Sequence, residues 1–219
     1  MTPLLTTARR RAPRGAAALA LLILAPCTTL FPEVGMAVEE APHRVIQKQD
    51  AFELREYDAY VVAEVIRAPG GGEGDNGAFR RLFGYISGKN ASKGDIAMTA
   101  PVITPPPERV AMTTPVTTQR LPDGVTMQFV LPAKYTLATA PQPTDPAVRL
   151  RAIPAGRVAV WRFSGSASDR KVAEVTTLLR AAIDKAGLTA TGEPIVARYN
   201  APFVPPFLRR NEVWLNVAP

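Results

Sequence analysis

The stretch GAFRRLFGYISG, residues 77–88, predicts an amphipathic helix. Its large apolar residues recur at spacings of three and four, which places them on one face of a helix. These residues are Phe79, Leu82, Phe83 and Ile86. Asp75 or Asn76 is expected to cap the start of the helix with a side-chain oxygen. Gly88 is suited to end it, because glycine readily adopts the left-handed conformation.

Segments on both sides of this helix favour β-strands. Residues 52–66 are rich in Val, Tyr and Ile, and residues 96–104 and 109–118 also read as extended. In VTMQFVLP, residues 125–132, apolar side chains alternate with others and therefore share one face of a strand. The first half of the chain thus predicts the order strand, helix, strand, strand.

The second half repeats this order. RVAVWRFSG (157–165) predicts a strand, and DRKVAEVTTLLRAAIDKA (169–186) a helix capped by Ser166 or Ser168 and ended by Gly187. The apolar stripe of this helix comprises Val172, Val175, Leu179, Ala182, Ile183 and Ala186. PIVARYN (194–200) and NEVWLNV (211–217) predict two further strands, the last with Val213, Leu215 and Val217 on one face.

The two halves are expected to share one sheet, because neither has enough strands to cover its own edges. A proline-rich segment, residues 136–148, joins them as a linker or surface loop. The fold class predicted is α+β: one domain, residues 38–219, with a distorted antiparallel β-barrel or sheet and two helices packed outside it.

Residues 1–37 have the pattern of a secretory signal peptide. A basic segment (8–14) precedes an apolar run, GAAALALLILA (15–25), and small residues favour cleavage after Ala37. The run LAPC gives lipidation of Cys27 as the alternative, in which case the chain would be anchored to a membrane. Either way, we expect an exported protein, periplasmic or secreted, with no other membrane contact.

Composition excludes several classes of function. The 219 residues carry a net charge of +7, but residues 38–219 hold 22 basic and 18 acidic residues, a net charge of +4. This excess is small and no basic run is interleaved with aromatics, so we expect no nucleic-acid partner. The single Cys and single His exclude a Cys/His zinc site and a CxxC redox pair.

Four segments resemble the SOUL/haem-binding protein family in order and spacing: YISGKN (85–90), KGDIAMTAPV (93–102), MQFVLPAKY (127–135) and RRNEVWLNV (209–217). The resemblance covers residues 44–217. It implies a distorted antiparallel barrel of two strand–helix–strand–strand halves that binds haem or another tetrapyrrole reversibly and without catalysis. Similar folds occur in bacterial effector-binding domains. A module for another flat hydrophobic molecule, or a protein-interaction barrel without a small ligand, are therefore the alternatives.

The resemblance implies a ligand surface between the first helix and the loop 201–208. The candidate ligand-binding residues there are Phe79, Arg80, Phe83, Ile86, Phe203, Val204 and Phe207. The cationic positions of known haem-binding members fall here at Asn76, Gly84 and Val204, which are uncharged. Arg80 or Arg81 is expected to bind the carboxylates instead.

Axial coordination of iron has few candidates. His43 is a weak one, because it lies close to the start of the mature chain. Phenolic alternatives are Tyr57, Tyr60, Tyr85, Tyr135 and Tyr199, and thioether alternatives are Met98, Met112 and Met127. We expect apolar contact with the disc, and not iron coordination, to dominate binding.

No motif in the sequence indicates an enzymatic function. Candidate acids are present, namely Glu53, Glu56, Asp58, Glu64 and Glu212, but no pattern pairs them. Glu212 lies on the strand face opposite Val213 and Leu215. It would support catalysis only if it were buried in a cleft with a raised pKa; otherwise it pairs with a neighbouring arginine.

Overall fold

The structure, a computed structural model, describes residues 38–49, 51–68, 74–92 and 106–218. The predicted signal peptide with Cys27, and the predicted extended segment 96–104 with Met98, lie outside the described residues. Among the described helices, none combines the length and the apolar character needed to cross a membrane.

The described residues form eleven strands, two α-helices and one 3₁₀ turn. The strands are β1 (His43–Lys48), β2 (Glu53–Tyr57), β3 (Tyr60–Arg67), β4 (Asn90–Ala91), β5 (Val116–Leu121), β6 (Gly124–Val130), β7 (Gln142–Pro143), β8 (Arg149–Ile153), β9 (Gly156–Phe163), β10 (Ala190–Arg198) and β11 (Asn211–Val217). The helices are α1 (Gly74–Ile86) and α2 (Asp169–Lys185), and the 3₁₀ turn is Pro206–Leu208.

Nine strands form one curled antiparallel sheet in the order β1-β2-β9-β11-β10-β5-β6-β3-β8, while β4 and β7 pair separately. The predicted fold class is therefore confirmed. The two halves meet where β5 pairs with β10, and we call this pairing the seam. Across the seam Val116 lies opposite Arg198, and Thr118 lies opposite Val196.

The predicted strand 52–66 is in fact two strands. The chain leaves the sheet at Asp58 and Ala59, so β2 pairs with β9 of the second half and β3 pairs with β6 and β8. Thus β2, from the first half, pairs with a strand of the second half, and β8 pairs with β3 of the first half. Composition alone predicts strand content but not this change of partner.

Both helices end as predicted, but α1 begins earlier than expected. It starts at Gly74, so Asp75 and Asn76 lie in its first turn and do not cap it from outside. The Asp75 carboxylate instead accepts a hydrogen bond from Arg67 at 3.1 Å. The Ser168 prediction is confirmed, because its hydroxyl accepts from the Lys171 amide at 3.4 Å.

Two other segments differ from the sequence analysis. Residues 43–48, for which no strand was predicted, form β1 at one edge of the sheet. Of the predicted extended segment 109–118, only the part from Val116 onward joins the sheet. The preceding residues run irregularly across it, with an isolated bridge between Glu40 and Thr114.

The helices pack on the same face of the sheet. Leu82, Tyr85 and Ile86 of α1 lie against β3 and β6, whereas Val175, Leu179 and Ile183 of α2 lie against β9 and β11. Burial of these apolar stripes supplies the main stabilising force. A third cluster covers the opposite face and includes Tyr57, Val62, Val130, Val158, Val160, Ala197 and Trp214.

Candidate functional site

An apolar groove of about 310 Å³ lies beside α1, where the helix approaches the seam. We call it the seam groove. Its lining combines one turn of α1, the segment before β5, the seam strands and the segment after β10. The residues are Asp75, Asn76, Phe79, Met112, Thr113, Thr114, Val116, Met127, Arg198, Tyr199, Asn200, Ala201 and Pro202.

The walls of the seam groove are held by packing. Phe79 meets the buried Phe129 edge to face, with ring centroids 5.3 Å apart, and stacks beside Phe83 at 6.1 Å. Met127 belongs to the buried cluster under α1, whereas Met112 is 45% exposed. Thioether side chains adapt to irregular apolar ligands, so these two methionines suit a binding surface.

Arg198 places a positive charge at the edge of this apolar surface. Its Nη1 donates to the Thr118 hydroxyl at 2.8 Å, and it forms no ion pair with a carboxylate among the described residues. Burial lowers the pKa of Arg198, because the guanidinium loses hydration. An incoming carboxylate would compensate for that loss.

Arg198 also lines a neighbouring charged cleft of about 250 Å³ between the two helices. The other cations of that cleft are already neutralised, since Arg67 pairs with Asp75 and Arg120 pairs with Asp169. Arg198 forms no such ion pair among the described residues, although the Asp75 and Asp169 carboxylates are close enough to favour its charged form.

Tyr199 forms a rigid wall of the seam groove. Its hydroxyl donates to Glu212 at 2.7 Å, and the Arg210 guanidinium lies 3.7 Å from the centre of its ring. Arg210 is itself fixed by Glu40 and Glu212. A wall held in this way loses little side-chain entropy when a ligand binds.

Glu212 is the centre of a buried hydrogen-bond network. It is fully buried, and its carboxylate accepts hydrogen bonds from Arg55, Tyr199, Arg210 and Trp214. Burial opposes ionisation, but Arg55 and the donors Tyr199 and Trp214 outweigh it, so the pKa of Glu212 is lowered. The condition set for an acid–base role, a raised pKa in a cleft, is not met. The arginine-paired interpretation of Glu212 is the correct one.

The residues predicted to bind ligand are distributed over several environments. Phe79 lines the seam groove, and the predicted loop reaches it through Ala201 and Pro202. Ile86 is buried in the core under α1, whereas Phe83 is 48% exposed. Arg80 lies on the surface and donates to the Asn76 carbonyl oxygen.

The rest of the predicted loop lies away from the groove lining. Phe203 and Phe207 are exposed, and Val204 is half-buried. Arg81, one of the two predicted carboxylate partners, pairs with Asp145 at 2.9 Å. The sequence analysis did not select Arg198. Its position on the same strand face as Val196, two residues further along, could have indicated it.

The candidate iron ligands are constrained differently. His43 Nδ1 lies 2.9 Å from the Ala41 carbonyl oxygen, its ring packs against Tyr57, and it does not line the seam groove. The pKa of every tyrosine is raised, chiefly by burial, to about 12 for Tyr60. Phenolate coordination is therefore disfavoured. Within the part of the chain that the structure describes, no group of three His, Cys, Asp or Glu side chains could hold a metal ion.

A second depression, of about 570 Å³, is wider but chemically different. It lies between the β2–β3 turn and residues 131–137, and its walls include Tyr60, Tyr135 and Leu137. The charged residue in its lining is Asp58. It therefore lacks the cation that a carboxylate-bearing ligand needs.

Comparison with known proteins gives the family. The model of the SOUL heme-binding protein family matches residues 38–216. The chain belongs to the SOUL family. Binding of haem or a related tetrapyrrole is thus supported at the level of the family. No curated protein matches this SOUL chain.

Solved structures share the fold at low sequence identity. A hydrolase from Listeria innocua has a TM-score of 0.54 and 12% identity, covering 79% of this chain and 94% of its own. A second Listeria innocua hydrolase structure has a TM-score of 0.52, 13% identity and the same coverage. An uncharacterized conserved protein from Listeria innocua has a TM-score of 0.51 and 13% identity, covering 78% and 93% of the two chains. These likenesses show the fold alone.

Proposed function

We propose that this SOUL chain binds haem or another tetrapyrrole reversibly, and without catalysis, in the seam groove. One observation carries the proposal: apolar walls meet Arg198 in the same groove, and among the described residues Arg198 forms no ion pair. A tetrapyrrole combines a flat apolar face with carboxylates on one edge. A single ligand of this kind would cover the apolar wall and neutralise the arginine.

The size of the groove bears on affinity. Its volume of about 310 Å³ is near the lower limit of the roughly 300–1,000 Å³ usual for small-molecule pockets. We infer that the macrocycle would be enclosed over part of its area only. Moderate affinity and easy release are the expected consequences.

Iron is not expected to contribute much to binding. His43 lies outside the groove lining, and Tyr199 is committed as a hydrogen-bond donor to Glu212. Met112 and Met127 remain as thioethers in the groove, and these are weak ligands for ferric iron. Haemin and metal-free protoporphyrin should therefore bind with similar dissociation constants, and His43→Ala should leave both unchanged.

The test uses titration of the full chain with haemin and with metal-free protoporphyrin. Arg198→Gln should weaken both by about tenfold to hundredfold, because a hydrogen bond to a charged group contributes about 1.5–3 kcal/mol. Arg120→Gln is the matched control, since Arg120 lines the neighbouring cleft and already pairs with Asp169. Protoporphyrin dimethyl ester, which has no carboxylate, should bind the wild type and Arg198→Gln equally.

Three results would contradict this assignment. Absence of tetrapyrrole binding removes the proposal altogether. Equal weakening by the Arg198 and Arg120 substitutions would show a general charge effect. Loss of haemin binding in His43→Ala would show axial ligation instead. If a smaller flat aromatic compound binds where tetrapyrroles do not, the small groove volume supports the second candidate, a module for another flat hydrophobic molecule.

We further propose that the protein is exported, with residues 1–37 as its signal. The basic segment followed by an apolar run supports this proposal. Fractionation of cells expressing the full gene should find the protein outside the cytoplasm. Loss of membrane association in Cys27→Ala would indicate lipidation, and no effect would indicate cleavage.

A further inference from the structure

Three large apolar side chains protrude from the loop that follows β10. Phe203 is 88% exposed, Phe207 is 73% exposed and Leu208 is 62% exposed. We call residues 201–208 the apolar loop. Large exposed apolar residues that lie close together mark a contact surface more often than single scattered ones do.

The exposure does not come from a lack of structure in the loop. The Val204 amide donates to the Ala201 carbonyl oxygen at 3.1 Å, and the Leu208 amide donates to that of Pro205 at 2.9 Å. The Pro206 carbonyl oxygen accepts from the amides of Arg209 and Gly165, each at 3.0 Å. The apolar loop is thus tied to itself and to the end of β9, with its aromatic side chains held outward.

Several polar backbone groups of the apolar loop already have hydrogen-bond partners within the protein. Arg209 folds back on it, with Nε donating to the Val204 carbonyl oxygen at 2.7 Å and Nη2 to that of Pro202 at 2.6 Å. Three of its eight residues are prolines, which carry no amide hydrogen. Part of the polar backbone of the loop is therefore already paired, which lowers the cost of leaving bulk water for the interfacial region of a bilayer.

We propose that the apolar loop inserts into the interfacial region of a lipid bilayer, so that the domain binds membranes peripherally. Three protruding side chains of about 150–250 Å² each approach the roughly 800 Å² that one partner contributes to a standard protein interface. Charge, and not area, therefore favours a lipid surface over a protein partner. A few inserted side chains are sufficient for reversible membrane contact.

Charge agrees with an anionic lipid surface. Residues 38–219 carry a net charge of +4. Anionic headgroups attract such a domain, and the apolar loop then supplies the inserted contact. This contact is separate from any lipid on Cys27.

The test measures the environment of the apolar loop directly, in the full chain carrying Cys27→Ala. An environment-sensitive fluorophore is attached to Leu208→Cys, and a matched label to Leu178→Cys, a 46% exposed position on α2. With phosphatidylcholine–phosphatidylglycerol vesicles, the label at 208 should brighten and shift to the blue, and the label at 178 should not. Adding Phe203→Gln and Phe207→Gln should weaken the lipid dependence of that signal by about tenfold or more.

The labels also separate the outcomes. An unchanged signal at position 208 overturns the proposal, even if residues 1–37 carry the chain to vesicles. Equal changes at 208 and 178 would overturn it too, because they would show whole-protein adsorption. A signal that rises with protein concentration in the absence of lipid would assign the loop to a contact between copies of the chain.

Discussion

Substitution of Glu212 by Gln should strongly destabilise the fold, because six hydrogen bonds converge on this carboxylate. Oε1 accepts one from Arg55 and two from Arg210. Oε2 accepts from Arg55, Tyr199 and Trp214. In either orientation of a glutamine side chain, its NH₂ group would face three hydrogen-bond donors and could accept from none of them.

The size of the effect follows from burial. Glu212 is 0% exposed and Arg55 is 5% exposed, so the substitution leaves a buried guanidinium with Glu53 as its remaining carboxylate. Breaking a buried ion pair from one side costs about 3–5 kcal/mol. Domains unfold with about 5–15 kcal/mol in total. We therefore expect the melting temperature to fall by about 6–20 °C.

The pH dependence gives an independent check with a definite sign. Because the pKa of Glu212 is lowered in the folded state, its stabilisation is present above the unfolded value of about 4.3. It is lost as the pH falls through the folded-state value. The difference in unfolding free energy between wild type and Glu212→Gln should thus be largest near neutral pH and should shrink in acid.

Urea unfolding followed by circular dichroism measures this difference without relying on Trp214, whose hydrogen bond the substitution removes. Glu56→Gln is the matched control, since Glu56 pairs with Arg44 and Arg157 at the surface and water screens these pairs. The control should behave as wild type. A Glu212→Gln protein within about 1 kcal/mol of wild type at pH 7 would refute the reasoning.

Two further substitutions test the packing. Leu179→Ala, at a fully buried site under α2, should cost about 2–5 kcal/mol in unfolding free energy, whereas Leu178→Ala on the exposed face should cost far less; similar losses would contradict the assigned helix face. Gly124→Ala should cost more than about 1 kcal/mol, because φ is +148° and a Cβ would lie 2.1 Å from the Arg67 carbonyl oxygen. Gly156→Ala, with open space around it, is the control, and equal melting temperatures for the two would count against the tight β3–β6 geometry.

The apolar loop and the seam groove divide residues that sequence reasoning had grouped together. Phe203, Val204 and Phe207 were predicted as ligand-binding beside Phe79, because the family resemblance implied a ligand surface between the first helix and this loop. The structure joins Phe79 instead to Met112, Tyr199 and Pro202. Participation of the exposed loop aromatics in ligand binding stays a prediction, and titrating tetrapyrrole into Phe203→Gln would test it.

Local pattern was sufficient for the helices and for the last strand. The stripe of Val175, Leu179 and Ile183, the Ser168 cap and the alternation in β11 all depend on residues within a few positions of one another. Helix and strand periodicity encode such features directly. The repeated strand–helix–strand–strand order then predicted the fold class, because exposed strand edges require a shared sheet.

The pairing of strands and the site depended on contacts between distant parts of the chain. Arg55 and Glu212 are separated by 157 positions, and Arg198 and Thr118 by 80. No local periodicity encodes which strand lies beside which, and so the change of partner at Asp58 and the convergence on Glu212 were not foreseen. Arg198 is a candidate because it is partly buried at the seam groove and forms no ion pair within the described ranges. Burial is a property of the packed sheet and helices, and not of the residue itself.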